Sequence, residues 1–152
     1  MSRVSKRFRP FAPVLVALCI LALSACDGGE TVTIQPVGNE MRYAQTEFTV
    51  GVGEEVTVVF ENVATSAAME HNVVVLASDS DADADRVGIA ALSAADQDYV
   101  PDDPAILAAT AMSAPGETVQ VTFTAPTEPG RYRYICTYPG HYALMQGVMI
   151  VT

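Results

Sequence analysis

Apolar and polar side chains alternate along most of this chain, and the dominant period is two. The stretch TVQVTFT, residues 118–124, sets Val119, Val121 and Phe123 on one face and Thr118, Gln120, Thr122 and Thr124 on the other. GRYRYIC repeats the pattern, with Tyr132, Tyr134 and Cys136 opposite Arg131, Arg133 and Ile135. Such a period belongs to half-buried β-strands, whose successive side chains point to opposite faces. TVTIQPV, EFTV, EEVTVVFEN, HNVVVLA and GVMIVT are rich in β-branched and aromatic residues and are separated by Gly/Pro turns. HNVVVLA is nearly continuous in its apolar character, as expected of a strand buried on both faces or in a sandwich core. Seven or eight short strands of this kind predict an all-β fold, a Greek-key β-sandwich or barrel.

One segment breaks the period. Residues 78–114 open with SDSDADADRVG, pass through the Ala-rich GIAALSAADQ and reach DYVPDDPAILAAT. Residues 81–95 have a helix-compatible composition, and aspartates in an opening turn favour the positive end of a helix dipole. The segment is expected to be a crossover excursion with one or two short helices, packed outside the sandwich. Its DSDADAD run does not fit a calcium loop. Counted from Asp79, the sixth position is Ala84 where glycine is needed, and the twelfth is Ala90 where glutamate is needed.

The first 25 residues belong to another class. Arg3, Lys6, Arg7 and Arg9 precede an apolar run from Phe11 to Leu23 that contains Pro13, and Ser24 and Ala25 lead to Cys26. That is the layout of a secretory signal, shorter than the about 20 apolar residues of a membrane span. LSAC, Leu23 to Cys26, resembles the lipobox of bacterial lipoproteins, whose cysteine is lipidated and becomes the first mature residue. The expected organisation is a lipoprotein signal peptide over residues 1–25, a lipid-anchored linker over 26–30 and one domain over 31–152. Simple cleavage after Ala25 and an uncleaved anchor are the alternatives. By the same resemblance, Asp27 behind Cys26 implies retention at the inner membrane, on its periplasmic, extracytoplasmic side.

Removing that segment changes the cysteine and charge counts. Cys19 leaves with the signal and Cys26 is consumed by lipid, so Cys136 is the only thiol left and no intramolecular disulfide can form. A lone exported thiol is a liability unless something protects or uses it, and a metal does both. Four of the eight basic residues precede Cys26, which leaves four arginines against 18 acids, a net charge of −14. Such a field disfavours nucleic acid and anionic lipid surfaces and suits a basic protein partner, or solubility alone. A monomer is expected.

The candidate chemistry lies in CTYPGHYALMQG, residues 136–147. Cys136 ends a strand, His141 follows five residues later and Met145 four after that, with Pro139-Gly140 forcing a reversal between them. Thiolate and imidazole suit copper, and a thioether is a weak axial donor. A trigonal His₂Cys plane with a long axial methionine is the blue-copper arrangement. It needs one more histidine, and the chain has only one more, His71 at the start of HNVVVLA.

CTYPGHYALMQG, HNVVVL and DYVPDD together resemble the azurin branch of the cupredoxin family, and the auracyanins in particular. The resemblance spans roughly residues 31–152. It implies a type 1 (blue) copper site with ligands His71, Cys136 and His141 and axial Met145. It also implies that Asn72, with Thr137, ties the ligand loops together. His141 would be the electron port, within an apolar docking patch of Met69, Tyr138, Pro139, Tyr142 and Ala143. Two departures stand out. Azurins carry a disulfide that this chain cannot form, as auracyanins also lack it. Azurins place glycine before the first histidine, where this chain has Glu70, whose carboxylate favours Cu(II) if it points inward. The expected function is one-electron transfer by a membrane-tethered copper protein, with basic or membrane-bound redox proteins as partners. A copper-delivery protein is the alternative. A copper enzyme of the nitrite reductase or multicopper oxidase type would need further histidines and a longer chain.

Overall fold

The alternating runs form strands because each can bury one row of side chains against a second sheet. The computed structural model describes residues 29–152; the signal segment, Cys19 and the Cys26 lipidation site lie outside the described residues. β1 (Glu30–Ile34), β3 (Glu55–Glu61) and β6 (Thr118–Thr124) make a three-stranded sheet in the order β1-β3-β6. A five-stranded sheet has the order β2-β8-β7-β4-β5, from β2 (Glu47–Val50), β4 (Val74–Leu76), β5 (Ile106–Ala109), β7 (Gly130–Ile135) and β8 (Gln146–Val151). β1 runs parallel to β3, and β2 parallel to β8; the other pairs are antiparallel.

In β3, Val56, Val58 and Phe60 are fully buried while the residues between them stay part-exposed. They meet Ile34, Val73, Val75, Tyr134, Met149 and Val151 in one core between the sheets. Tyr43 sits in the same core, edge-on to Phe60 at 6.1 Å, and its hydroxyl donates to the Asn72 carbonyl (2.5 Å). Burial of a phenol is favourable when the hydroxyl finds such a partner. Tyr134 lies opposite Gly147 on the neighbouring strand, and a Cβ at Gly147 would come within 2.1 Å of its ring. Only glycine leaves room for that ring.

The excursion is part helix and part sheet. α1 (Asp81–Ala90) begins at Ser80, whose side chain accepts from the Asp83 N–H, with Asp81 and Asp83 in the first turn. It packs Ala84 and Val87 onto Val74, Leu76 and Ile135, on the outer face of the five-stranded sheet. That cover explains why β4 is apolar on both faces. Two 3₁₀ turns, Ala91–Ser93 and Ala95–Gln97, follow the helix. The expectation that residues 78–114 stand outside the sandwich needs one change. Ile106–Ala109 is β5, the edge strand beside β4, which its alanine-rich composition conceals. β4 is also shorter than HNVVVLA suggests, since it starts at Val74.

The strands define two poles. β3 and β7 end, and β8 begins, at the pole that carries residues 136–145; β1, β3 and β7 begin at the other. Between the poles, the loop leading into α1 is clamped to β7. Arg131 and Arg133 donate through Nε to the two carboxylate oxygens of Asp79 (3.0 and 3.1 Å), and Arg133 also reaches Asp81 (2.6 Å) and the Asp79 carbonyl (2.9 Å). Burial alone would raise the Asp79 carboxyl, but the bonds and charges of the two arginines outweigh it and hold it below its usual range. Stability from this clamp is therefore complete above the unfolded aspartate pKa of about 4 and is lost as pH falls through the lower folded value. The urea midpoint of the natural chain should exceed that of Asp79→Asn near neutrality. The gap should close as unfolding is repeated at progressively lower pH.

Candidate metal centre

Three segments converge at the pole where β3 and β7 finish. His71 is held by an isolated antiparallel bridge: its N–H donates to the Ser113 carbonyl (3.2 Å), and the Ser113 N–H donates back (2.8 Å). Asn62 braces the corner, its Nδ2 donating to the carbonyls of Met69 and Ser113, both at 2.8 Å. Cys136 leaves β7 directly into a turn closed by main-chain bonds. The Cys136 N–H donates to the Met145 carbonyl (3.0 Å), the His141 N–H to the Tyr138 carbonyl (3.0 Å) and the Met145 N–H to the His141 carbonyl (2.8 Å). Gly140 takes the φ of +84° that this reversal requires.

The two ligand-bearing loops are joined through Asn72. Its Nδ2 donates to Thr137 Oγ1 (2.8 Å), and its Oδ1 accepts from the Thr137 N–H (2.8 Å). Nδ2 also donates to the carbonyl of Asp98 (3.2 Å), which draws the excursion onto the site. Asp98 and Tyr99 both adopt positive φ, 53° and 57°, and Tyr99 meets the Tyr138 ring edge-on at 5.5 Å. Tyr138 lies 4.9 Å from the His141 ring.

Within this frame three donor atoms face one another. His71 Nδ1 and His141 Nδ1 are 3.1 Å apart, and Cys136 Sγ is 3.8 Å from the first and 3.6 Å from the second. All three residues are buried, and Met145 is fully buried at the end of the turn. His71 Nε2 is buried with no hydrogen-bond partner among the described residues, so the polar contacts of that ring run through Nδ1. In a trigonal plane with M–N of about 2.0 Å and M–S of about 2.3 Å, the nitrogens lie about 3.5 Å apart and the sulfur about 3.7 Å from each. The observed triangle fits a single ion, with its N–N edge slightly closed.

Burial pushes the Cys136 thiol up to about 11, while the backbone N–H groups of Asn72 and Tyr138 work the other way and favour thiolate. Burial and then the neighbouring His141 push His71 down to about 4, and burial lowers His141 as well. At neutral pH the donors are one thiol and two neutral imidazoles, so the site gains a cation by releasing one thiol proton.

The residues singled out in the sequence are spread around this triangle. Pro139 and Ala143 are exposed, Met69, Tyr138 and Tyr142 half-buried, and Glu70 is half-buried beside His71. Tyr142 has a partner of its own: its ring lies on Gly88 of α1, where a Cβ would come within 2.2 Å. A glycine inside a helix costs about 1 kcal/mol relative to alanine, and this contact accounts for it. Sequence reasoning missed Leu144, 64% exposed, and Met41, 37% exposed, which line a shallow cleft together with Met69. Leu144 could have been found, as an apolar residue within the ligand turn; nothing in the sequence marks Met41. Ser113, Asn62 and Asp98 were missed too, because their roles arise from main-chain contacts.

Titrating Cu(II) into the metal-free chain in weakly buffered solution at pH 7 should release about one proton per ion, and Cys136→Ser should abolish that release. Gly88→Ala should lower the unfolding free energy by about 1 to 3 kcal/mol through overpacking against Tyr142, as measured by urea denaturation.

A family profile described as copper binding proteins, plastocyanin/azurin family, matches residues 30–152. Auracyanin-A of Chloroflexus aurantiacus is 39% identical over 155 residues, an alignment spanning 91% of this chain and 93% of that protein. The solved structure of auracyanin A from that bacterium, described as a "blue" copper protein, superposes with a TM-score of 0.76 at 42% identity, covering 82% of this chain and 100% of that one. Dithionite-reduced auracyanin from Roseiflexus castenholzii gives a TM-score of 0.74 at 41% identity, over 82% of this chain and 99% of that one. The buried His71, Cys136, His141 and Met145 are thus arranged as a type 1 copper site, and the chain belongs to the plastocyanin/azurin family of copper binding proteins.

Proposed function

We propose that this chain is an extracytoplasmic one-electron carrier, tethered to a membrane through lipid on Cys26. In this reading His71, Cys136 and His141 would hold a single copper ion, with the buried Met145 as a further donor. The observation that carries it is the closed triangle of two imidazole nitrogens and one sulfur, with edges of 3.1, 3.6 and 3.8 Å. Copper bound there supplies one-electron chemistry between Cu(II) and Cu(I).

The chain's own residues account for the rest. His71 and His141 present Nδ1 inward without protonation at neutral pH, because burial disfavours their charged forms. Cys136 contributes a thiolate after losing its proton, and the N–H groups of Asn72 and Tyr138 spread the charge on its sulfur. The Asn72–Thr137 pair restrains both ligand loops and would limit how far the donors rearrange when an electron arrives or leaves. His141, 5% exposed, is the least buried of the four ligands, the other three being at 0%. It is the port for the electron. Pro139 and Ala143, with the half-buried Met69, Tyr138 and Tyr142, surround it as the face that meets a redox partner.

Delivery of copper to another protein is the less suited alternative, since ligand exchange needs accessible donors and these are buried. Asp27 behind the lipidated cysteine supports retention at the inner membrane. The chain should turn intensely blue with Cu(II) and bleach with a mild reductant. It should give a reversible one-electron wave with no turnover of nitrite or oxygen. If Cys136→Ser keeps the visible band, the ligand assignment fails. If mass spectrometry of the membrane fraction finds no acyl mass on Cys26, the tether fails.

A further inference from the structure

β1 begins at the pole opposite the copper ligands. Glu30 pairs with Val56 near the start of β3, whereas the Asn62 that braces His71 lies just past its end. The seven residues of β3 separate the poles by about 20 Å at the strand rise of about 3.3 Å per residue. The chain is already seated one residue before β1. A Cβ at Gly29 would come within 2.5 Å of the Glu55 carbonyl oxygen, so this glycine lies flat against β3. Between Cys26 and that point only Asp27 and Gly28 remain, and three Cα–Cα steps reach at most about 11 Å.

The pole that receives the tether is also acidic. Glu30, Glu55 and Glu128 are exposed there, and Glu54 is half-buried. The four arginines among the described residues are all ion-paired, Arg42 with Glu40, Arg86 with Asp83 and Asp103, Arg131 with Glu47 and Asp79, and Arg133 with Asp79 and Asp81, and of these Arg131, near the start of β7, lies toward that pole. An anionic bilayer within a Debye length of about 8 to 10 Å repels such a pole, where Arg131 is already paired with two acids.

We infer that the anchored chain stands with its copper pole away from the bilayer, so that its redox partner reaches the ligands from the aqueous side. The inference rests on the lipid tether proposed above. The surface offered to that partner carries the exposed Pro139, Ala143 and Leu144 of the ligand turn, with Met41 beside Leu144 in the shallow cleft. A donor held in the plane of the membrane meets the acidic pole instead, with the length of the sandwich between it and the ligands. A tether of two residues cannot turn the molecule over.

The test uses full-length, copper-loaded protein in vesicles of phosphatidylethanolamine and phosphatidylglycerol that carry a small fraction of flavin-bearing lipid. A light pulse in the presence of a sacrificial amine forms the flavin semiquinone, which is oxidised by giving one electron to Cu(II), leaving Cu(I) and a bleached visible band. A second variant inserts 20 Gly/Ser residues between Gly28 and Gly29, whose root-mean-square span of about 25 Å lets the domain invert. The variant should bleach at least about tenfold faster than the natural chain with the lipid-bound donor, because inversion raises the effective concentration of His141 at the bilayer. With a water-soluble flavin donor the two should bleach at the same rate. Equal rates with the lipid-bound donor, alongside an acylated Cys26, would overturn the orientation and leave the tether standing. Absence of the acyl mass would overturn the tether and the orientation together.

Discussion

Everything at the ligand pole depends on one buried amide. Asn72 follows His71 in sequence and bonds the residue after Cys136 in space, so its side chain turns two distant loops into one frame. Its main-chain carbonyl takes the Tyr43 hydroxyl from the core, and its Nδ2 also reaches the Asp98 carbonyl of the excursion. Core, ligand turn and excursion thus meet at one residue. A buried polar network of this kind is stable only when each member is satisfied, since an unpaired amide in the interior costs about 1 to 3 kcal/mol.

That frame explains why strained and costly features persist nearby. Two consecutive non-glycine residues at positive φ, Asp98 and Tyr99, cost on the order of 1 to 3 kcal/mol each. They place a carbonyl on Asn72 and a ring on Tyr138, which in turn flanks His141. The helix performs a similar task from the other side. It buries Ala84 and Val87 on the sheet and lays Gly88 against Tyr142, the residue after His141. The ligand turn is therefore held on both flanks by the excursion that breaks the β pattern.

Strands with clean alternation were legible because their period follows from one-sided burial, and the helix from its composition and aspartate-rich opening turn. β5 was not, because ILAA has neither alternation nor β-branched bulk, and its place at the edge depends on the partner strand β4. Cys136, His141 and Met145 were legible through spacing within one turn, and His71 because no other histidine remained. What stayed hidden was what sets their distances. Ser113 pairs with the main chain of His71, Asn62 donates to carbonyls, and Met41 joins Met69 and Leu144 only through tertiary packing. Main-chain contacts of this sort leave no residue-specific mark on a sequence.

The contact between Gly147 and Tyr134 has a consequence for how this chain can change over time. Any side chain at position 147 collides with the ring opposite, at 2.1 Å. That ring packs on Tyr43, 5.3 Å away, and its hydroxyl holds the Gln45 carbonyl. A descendant can enlarge residue 147 only after losing the ring at 134, and losing that ring first opens a cavity beside Tyr43. Both single steps descend in stability before the pair can recover it. The two positions are thus locked to one another, and drift in this sheet has to travel through other residues.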